Sequence, residues 1–264
     1  MNKRLSDAGY MPVGPLQMYY EIHGDGPPLV LLHGGGSGIN ATFGRILPGL
    51  ARTHRVIGIE QQGHGHTGDI DRPFSLEQMA DDTAALLAKL GVTSSNVFGF
   101  SNGGQVAMQL AIRHPHKTQK LVLASTFYRR AGVIPELLEA WKKPVTAADM
   151  PTGLRDEFLR TAPEPKDLPN HINKSQQMMR GFKDLSAADL SRVAMPTLIL
   201  NGDRDVVRLE HAVEMMHLIP GSRLVVLPGP HGAYIGEMST PAVKSELPKI
   251  TVKLVNEFLA GFDF

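Results

Sequence analysis

Short apolar runs alternate with amphipathic stretches along most of this chain. Seven of the runs read as strands, at 17–23, 29–33, 56–60, 96–100, 120–124, 197–201 and 223–227. Several are apolar throughout, most clearly Leu29-Val30-Leu31-Leu32 and Leu121-Val122-Leu123. A strand covered by helices on both faces has no wet side, so the period-two pattern of a half-exposed strand disappears. Such strands in alternation with helical stretches predict an α/β fold built on a mostly parallel, doubly wound sheet.

The helical stretches carry their own punctuation. Ser75 with Gln78 three residues on is a capping-box pattern. Met79, Thr83, Leu86, Leu87 and Leu90 follow at helical spacing, and Gly91 marks the stop. A second helix over 102–114 buries Val106, Ala107, Leu110 and Ala111 and ends before Pro115. A last one over 250–260 gathers Leu254, Val255, Phe258 and Leu259 on one face. The stretch 127–194 breaks the alternation. It holds no convincing strand, and prolines at 135, 144, 151, 163, 165 and 169 divide it into short helical pieces. It reads as a helical lid inserted between core strands of a single domain spanning 1–264, over the carboxyl edge where open α/β sheets bind ligands.

Composition narrows the function classes. The formal net charge is +1 over 264 residues, with basic residues scattered, so no field gathers nucleic acid or an acidic membrane. The chain has no cysteine, which excludes disulfides, thiolate nucleophiles and Cys-based metal centres. Residues 1–17 are polar and carry no apolar signal core, and no run approaches the roughly 20 apolar residues that span a bilayer. The expectation is a cytoplasmic protein acting on a small molecule, with no nucleic-acid or membrane partner. The composition is also compatible with a homo-oligomer.

The candidate chemistry begins at Gly99-Phe100-Ser101-Asn102-Gly103, a G-x-S-x-G motif where a predicted strand meets a predicted helix. A serine on so tight a turn needs neighbours without Cβ atoms, and Gly99, Gly103 and Gly104 provide that clearance. Ser101 then stands at a helix N-terminus, where unpaired N–H groups and the positive dipole end favour negative charge. With this context the chain resembles the α/β-hydrolase superfamily over nearly its whole length.

The resemblance implies a nucleophile, an acid and a histidine in that chain order, matched here by Ser101, Asp205 and His231. His231 follows the strand at 223–227 in the loop Pro228-Gly229-Pro230-His231-Gly232, whose prolines restrict its freedom. Asp205 fits the family spacing of a glycine, two residues and then Asp, counted from Gly202. Asp203 is the alternative acid, unless it pairs with Arg204 or caps the turn. His33-Gly34-Gly35-Gly36 resembles the family's oxyanion loop, with the N–H groups of Gly35 and Asn102 as expected donors and His33 as a loop-orienting residue. The Gly63-His64-Gly65-His66 stretch matches a glycine–histidine loop of the family, so no metal site is assigned there. No cofactor is implied.

The expected reaction is hydrolysis of a small carboxylic ester through an acyl-enzyme. Cleavage of a carbon–carbon bond or a lactone is the alternative within the family, and a ligand receptor that keeps the triad is the alternative outside enzymes. Family members that act on halides or epoxides carry Asp at the nucleophile position, which Ser101 argues against. Phe127, Tyr128, Trp141, Met178, Met179 and Phe182 are candidates for an apolar substrate wall, or else pack the lid helices onto the core. His211 and His217 read as lying on a polar helix face.

Overall fold

The computed structural model describes residues 5–240 and 244–261. Its centre is one sheet of eight strands: β1 Leu5–Val13, β2 Leu16–His23, β3 Pro28–Leu32, β4 Arg55–Ile59, β5 Ser95–Phe100, β6 Thr118–Ala124, β7 Thr197–Gly202 and β8 Arg223–Leu227. They lie in the order β1-β2-β4-β3-β5-β6-β7-β8. The contacts of β2 with β1 and β4 are antiparallel and the remaining contacts are parallel. The expected mostly parallel sheet is present, with one strand the hydrophobic pattern did not reveal. Leu5–Val13 carries Asp7, Gly9 and Pro12, and it pairs with β2 alone at the sheet edge, where an apolar composition is not required.

The continuous apolar runs follow from two separate cores. Val30, Leu32, Val97, Leu121, Leu123 and Ile199 join one cluster, while Leu29, Leu31, Phe98, Val122, Leu198 and Leu200 join the other. Successive side chains of a strand point to opposite faces, and here each face is dry. Helices α3 Leu76–Lys89, α4 Asn102–Arg113 and α9 Leu209–Leu218 cover the first face. Helices α1 Ile39–Phe43, α2 Leu47–Leu50 and α10 Leu247–Ala260 cover the second. Each fully buried Leu or Val contributes about 1.5–3 kcal/mol relative to exposure, so the strand registers are fixed strongly.

Local signals were only partly realised. Ser75 Oγ accepts the Gln78 N–H at 3.3 Å, but the Gln78 side chain turns to Asp82 at 2.9 Å, so the capping box is half formed. The last helix starts three residues before the expected 250, with Pro248 in its first turn, a position where a missing N–H costs nothing.

Between β6 and β7 the chain forms helices α5 Pro135–Lys142, α6 Thr152–Thr161, α7 Leu168–Arg180 and α8 Ala187–Ser191, joined by short 3-10 turns. Leu190 of α8 packs into the first core, and Phe158, Leu168 and Ile172 of α6 and α7 make a small cluster of their own. No helix among the described residues is long and apolar enough to cross a membrane.

Candidate active site

At the end of β5 the chain enters α4 through a single residue. Ser101 has φ 54° and ψ −120°, one of two non-glycine residues with positive φ among those described. Its N–H donates to the Ala124 carbonyl at 2.9 Å, and its own carbonyl accepts from Thr126 Oγ1 at 2.9 Å. The flanking glycines are needed for space. A Cβ on Gly99 would lie 2.2 Å from the Gly103 carbonyl oxygen, and one on Gly103 would lie 2.0 Å from that of Leu32. Neither partner is a flexible side chain, so no local adjustment relieves the clash.

Two loops bring their side chains to this turn. His231 Nε2 lies 3.1 Å from Ser101 Oγ, and His231 Nδ1 lies 2.7 Å from Asp205 Oδ1. The ring rests on Phe100, with centroids 4.8 Å apart. Asp205 stands in the loop after β7 with its side chain buried. Burial pushes its carboxyl pKa up, but hydrogen bonds from His231, Ser125 and the Val207 N–H outweigh burial and hold the group below its ordinary value. A carboxylate held ionised in this way accepts from Nδ1–H, which leaves Nε2 free to take a proton from Ser101. Asp203 lies elsewhere in the same turn, where its Oδ1 accepts the Gly229 N–H at 2.7 Å and ties the two loops together.

Ser125 and Tyr234 were not foreseen. Ser125 Oγ hydrogen-bonds Asp205 Oδ2, and the Tyr234 hydroxyl lies 2.7 Å from Ser125 Oγ. Asp205 therefore has partners on both carboxylate oxygens. A serine placed directly after β6, level with the carboxyl ends of β5 and β7, was the available signal.

The glycine loop after β3 faces the same point. His33 Nδ1 lies 2.8 Å from the Gly34 carbonyl and its Nε2 accepts the Gln61 N–H at 3.1 Å, so the ring is a fixed neutral strut. Burial and the neighbouring His64 bring its pKa to about 3. The Gly34 N–H is engaged by Thr42 Oγ1 at 3.1 Å. The N–H groups of Gly35 and Asn102 have no protein acceptor among the described residues, and both residues border the cavity that contains Ser101 and His231. A side chain at position 35 would strike the Asn102 amide, 2.5 Å from its Cβ.

This cavity has a volume of about 420 Å³, and the insertion between β6 and β7 supplies most of its wall. Of the residues expected there, Phe127, Trp141 and Met179 line it. Met178 and Phe182 line a neighbouring cavity of about 500 Å³, which Phe127 also borders. Tyr128 lines neither and instead stacks on His211, with centroids 4.6 Å apart. His211 is accordingly buried rather than on a polar face, and its Nε2 accepts the Tyr128 N–H at 3.2 Å. Met150, Leu154, His171, Ile172 and Ser175 are also among the residues that line the cavity containing Ser101. The positions 171, 172, 175 and 179 share one side of α7, a periodic signal that selection by residue type alone overlooks.

A family model described as the α/β hydrolase fold matches residues 27–188. Over 269 residues the chain is 28% identical to a 2-hydroxy-6-oxo-2,4-heptadienoate hydrolase of Pseudomonas putida, covering 91% of each protein. It is 29% identical over 251 residues to a pimeloyl-acyl-carrier-protein methyl ester esterase of Nitrosomonas europaea, covering 80% of this chain and 90% of the relative. Among solved structures, an enol-lactonase from Burkholderia xenovorans LB400 superposes with a TM-score of 0.74 at 22% identity, over 95% of this chain and 99% of the other. That last likeness is one of fold.

Proposed function

Because this chain belongs to the α/β hydrolase fold family, we propose that it is a serine hydrolase that cleaves small, uncharged carboxylic esters through an acyl-enzyme. The observation that carries this reading is the unbroken path Ser101 Oγ–His231 Nε2, 3.1 Å, and His231 Nδ1–Asp205 Oδ1, 2.7 Å. His231 takes the serine proton as Oγ attacks the ester carbonyl carbon. The carbonyl oxygen becomes an oxyanion that accepts from the N–H groups of Gly35 and Asn102, where a single donor is typically worth 10²–10³ in rate. The tetrahedral adduct collapses, the C–O bond to the alcohol breaks, and His231 returns its proton to the leaving oxygen. Water then repeats the sequence on the acyl-enzyme, freeing the acid and restoring Ser101. Asp205 fixes the imidazole tautomer and stabilises its charged form.

The preference for an uncharged ester rests on the cavity. Among the described residues that line it there is no Lys or Arg, and Asp149 contributes a carboxylate. An anionic substrate would give up its hydration without a cation in return, which is costly. Carbon–carbon hydrolysis is the second reading, favoured by the likeness to the Pseudomonas putida hydrolase. The dienoate in that relative's name is an acid, and no Lys or Arg among the described residues lines this cavity to hold it.

A fluorophosphonate probe followed by peptide mass spectrometry tests the proposal. Label on Ser101 is expected, together with turnover of 4-nitrophenyl butyrate that falls by roughly 10⁴–10⁶ in Ser101→Ala. Label on another serine, or turnover that survives the substitution, overturns it. Tight ester binding with no turnover in the wild type points to a receptor.

A further inference from the structure

One side of α7 forms part of the catalytic cavity wall, where Ile172 and Met179 are what an apolar lining calls for. His171 and Ser175, one helical turn apart on the same side, are not. His171 is only 4% exposed. Its Nδ1 lies 2.8 Å from the Gly63 carbonyl oxygen, and a carbonyl can only accept, so the ring proton sits on Nδ1. Burial, together with the nearby His64, lowers the ring's pKa to about 3 and keeps it neutral. Nε2 is then a bare lone-pair acceptor.

This acceptor is directed at the cavity. Nε2 lies 3.9 Å from where a Cβ on Gly36 would stand, beside the terminal methyl of Met150, and Gly36 and Met150 both line the cavity. It has no hydrogen-bond partner among the described residues. One turn away, Ser175 Oγ is buried without a partner. Buried polar atoms are nearly always satisfied, and each exception calls for a reason. Here one such exception, Ser175 Oγ, stands one turn from the unpaired acceptor of His171, on a wall that substrate must touch. Neither belongs to the path from Ser101 to Asp205.

We propose that His171 and Ser175 form a polar subsite that selects esters carrying a hydroxyl group on an otherwise apolar acyl chain. The substrate hydroxyl donates to His171 Nε2, and its oxygen accepts from the Ser175 hydroxyl. This rests on the reading of Ser101 as the nucleophile of ester hydrolysis and narrows it to a substrate class. Because the ring stays neutral, the preference is the same at pH 6 and pH 9, unlike that of a histidine titrating in the usual range.

The test compares kcat/KM for methyl hexanoate, its 3-hydroxy and 6-hydroxy derivatives, and the two corresponding methoxy esters, followed by acid release in a pH-stat. The wild type is expected to favour at least one hydroxy ester roughly tenfold or more over both the unsubstituted and the methoxy compounds, since a site built to bind a hydroxyl discriminates against its absence. His171→Asn can keep the bond to Gly63 while lacking Nε2. It should bring that ratio to within about twofold, whatever it does to the absolute rate on methyl hexanoate. Ser175→Ala breaks no bond within the protein, so it should lower the ratio partially while the melting temperature holds or rises. Equal rates on hydroxy, methoxy and plain esters in the wild type overturn the subsite, as does a preference that persists in both variants. Failure of the underlying hydrolase reading looks different: Ser101→Ala would be as active as the wild type on every ester.

Discussion

Ser101 holds a backbone conformation that costs on the order of 1–3 kcal/mol for a residue with a Cβ, and Ser125 pays a similar cost at φ 48°. Both positions serve the same array, one presenting a hydroxyl to His231 and the other bracing Asp205. Ser125 allows the two effects to be separated. Ser125→Ala and Ser125→Gly each remove the hydroxyl bond to the carboxylate, and each should lower kcat/KM by roughly ten- to a hundredfold, as expected for a hydrogen bond to a charged group. Glycine adopts positive φ freely, so the glycine variant should have the higher melting temperature of the two. Calorimetry beside kinetics on one ester decides this. Equal activity in Ser125→Gly and the wild type would remove Ser125 from the site.

At the level of elements, the sheet was readable because burial on two faces writes itself into composition, whereas the wall of the cavity was readable only in part, at Phe127, Trp141 and Met179. Which side of α7 meets the site depends on how that helix docks, and docking is a tertiary matter. Lys174 Nζ lies 2.6 Å from Asp69 Oδ2 and also donates to the carbonyls of Ile70 and Arg72, at 2.7 and 3.0 Å. Asn170 reaches the same carboxylate at 2.9 Å, and His171 reaches Gly63. Three polar residues of one helix thus fasten it to the loop between β4 and α3, and nothing in their spacing names the partner. Tyr128 and His211 were misplaced for the same reason, since each satisfies the other across 83 residues. The turn at Ser101 was legible because tight turns demand glycine and leave a mark in sequence, whereas Asp205 and His231 were reached only through the family resemblance. Removing the shared anchor should loosen one element alone. In Asp69→Ala, hydrogen exchange of α7 amides should quicken while those of β3, β5 and β6 keep their protection. KM should rise more than kcat falls. Exchange that quickens equally across the sheet would show that the anchor supports the whole fold.

Over the whole molecule, buried histidines couple stability to pH. Burial lowers His33 and His171 to about 3 and His211 to about 4, from an ordinary value of 6.5, and His64 is also lowered. Below about pH 6.5 the unfolded chain takes up protons that the native state refuses. Stability is therefore complete above that value and falls as pH drops toward 4, by about 1.4 kcal/mol per pH unit for each ring fully involved. Melting temperatures between pH 8 and 4.5 should be level at the alkaline end as far as these rings are concerned and drop steeply below 6, with a gentler slope in His171→Asn. An unchanged melting temperature from pH 7 to 5 would contradict this. The division of labour between sheet and insertion has one more consequence. Ser101, Asp205 and His231 hang from strand ends, while most of the surface that meets the rest of the substrate hangs from the stretch between β6 and β7. Under the proposed hydrolase reading, bond-breaking and recognition are housed in separately mutable parts, and drift in the second can retune diet while the first keeps its chemistry.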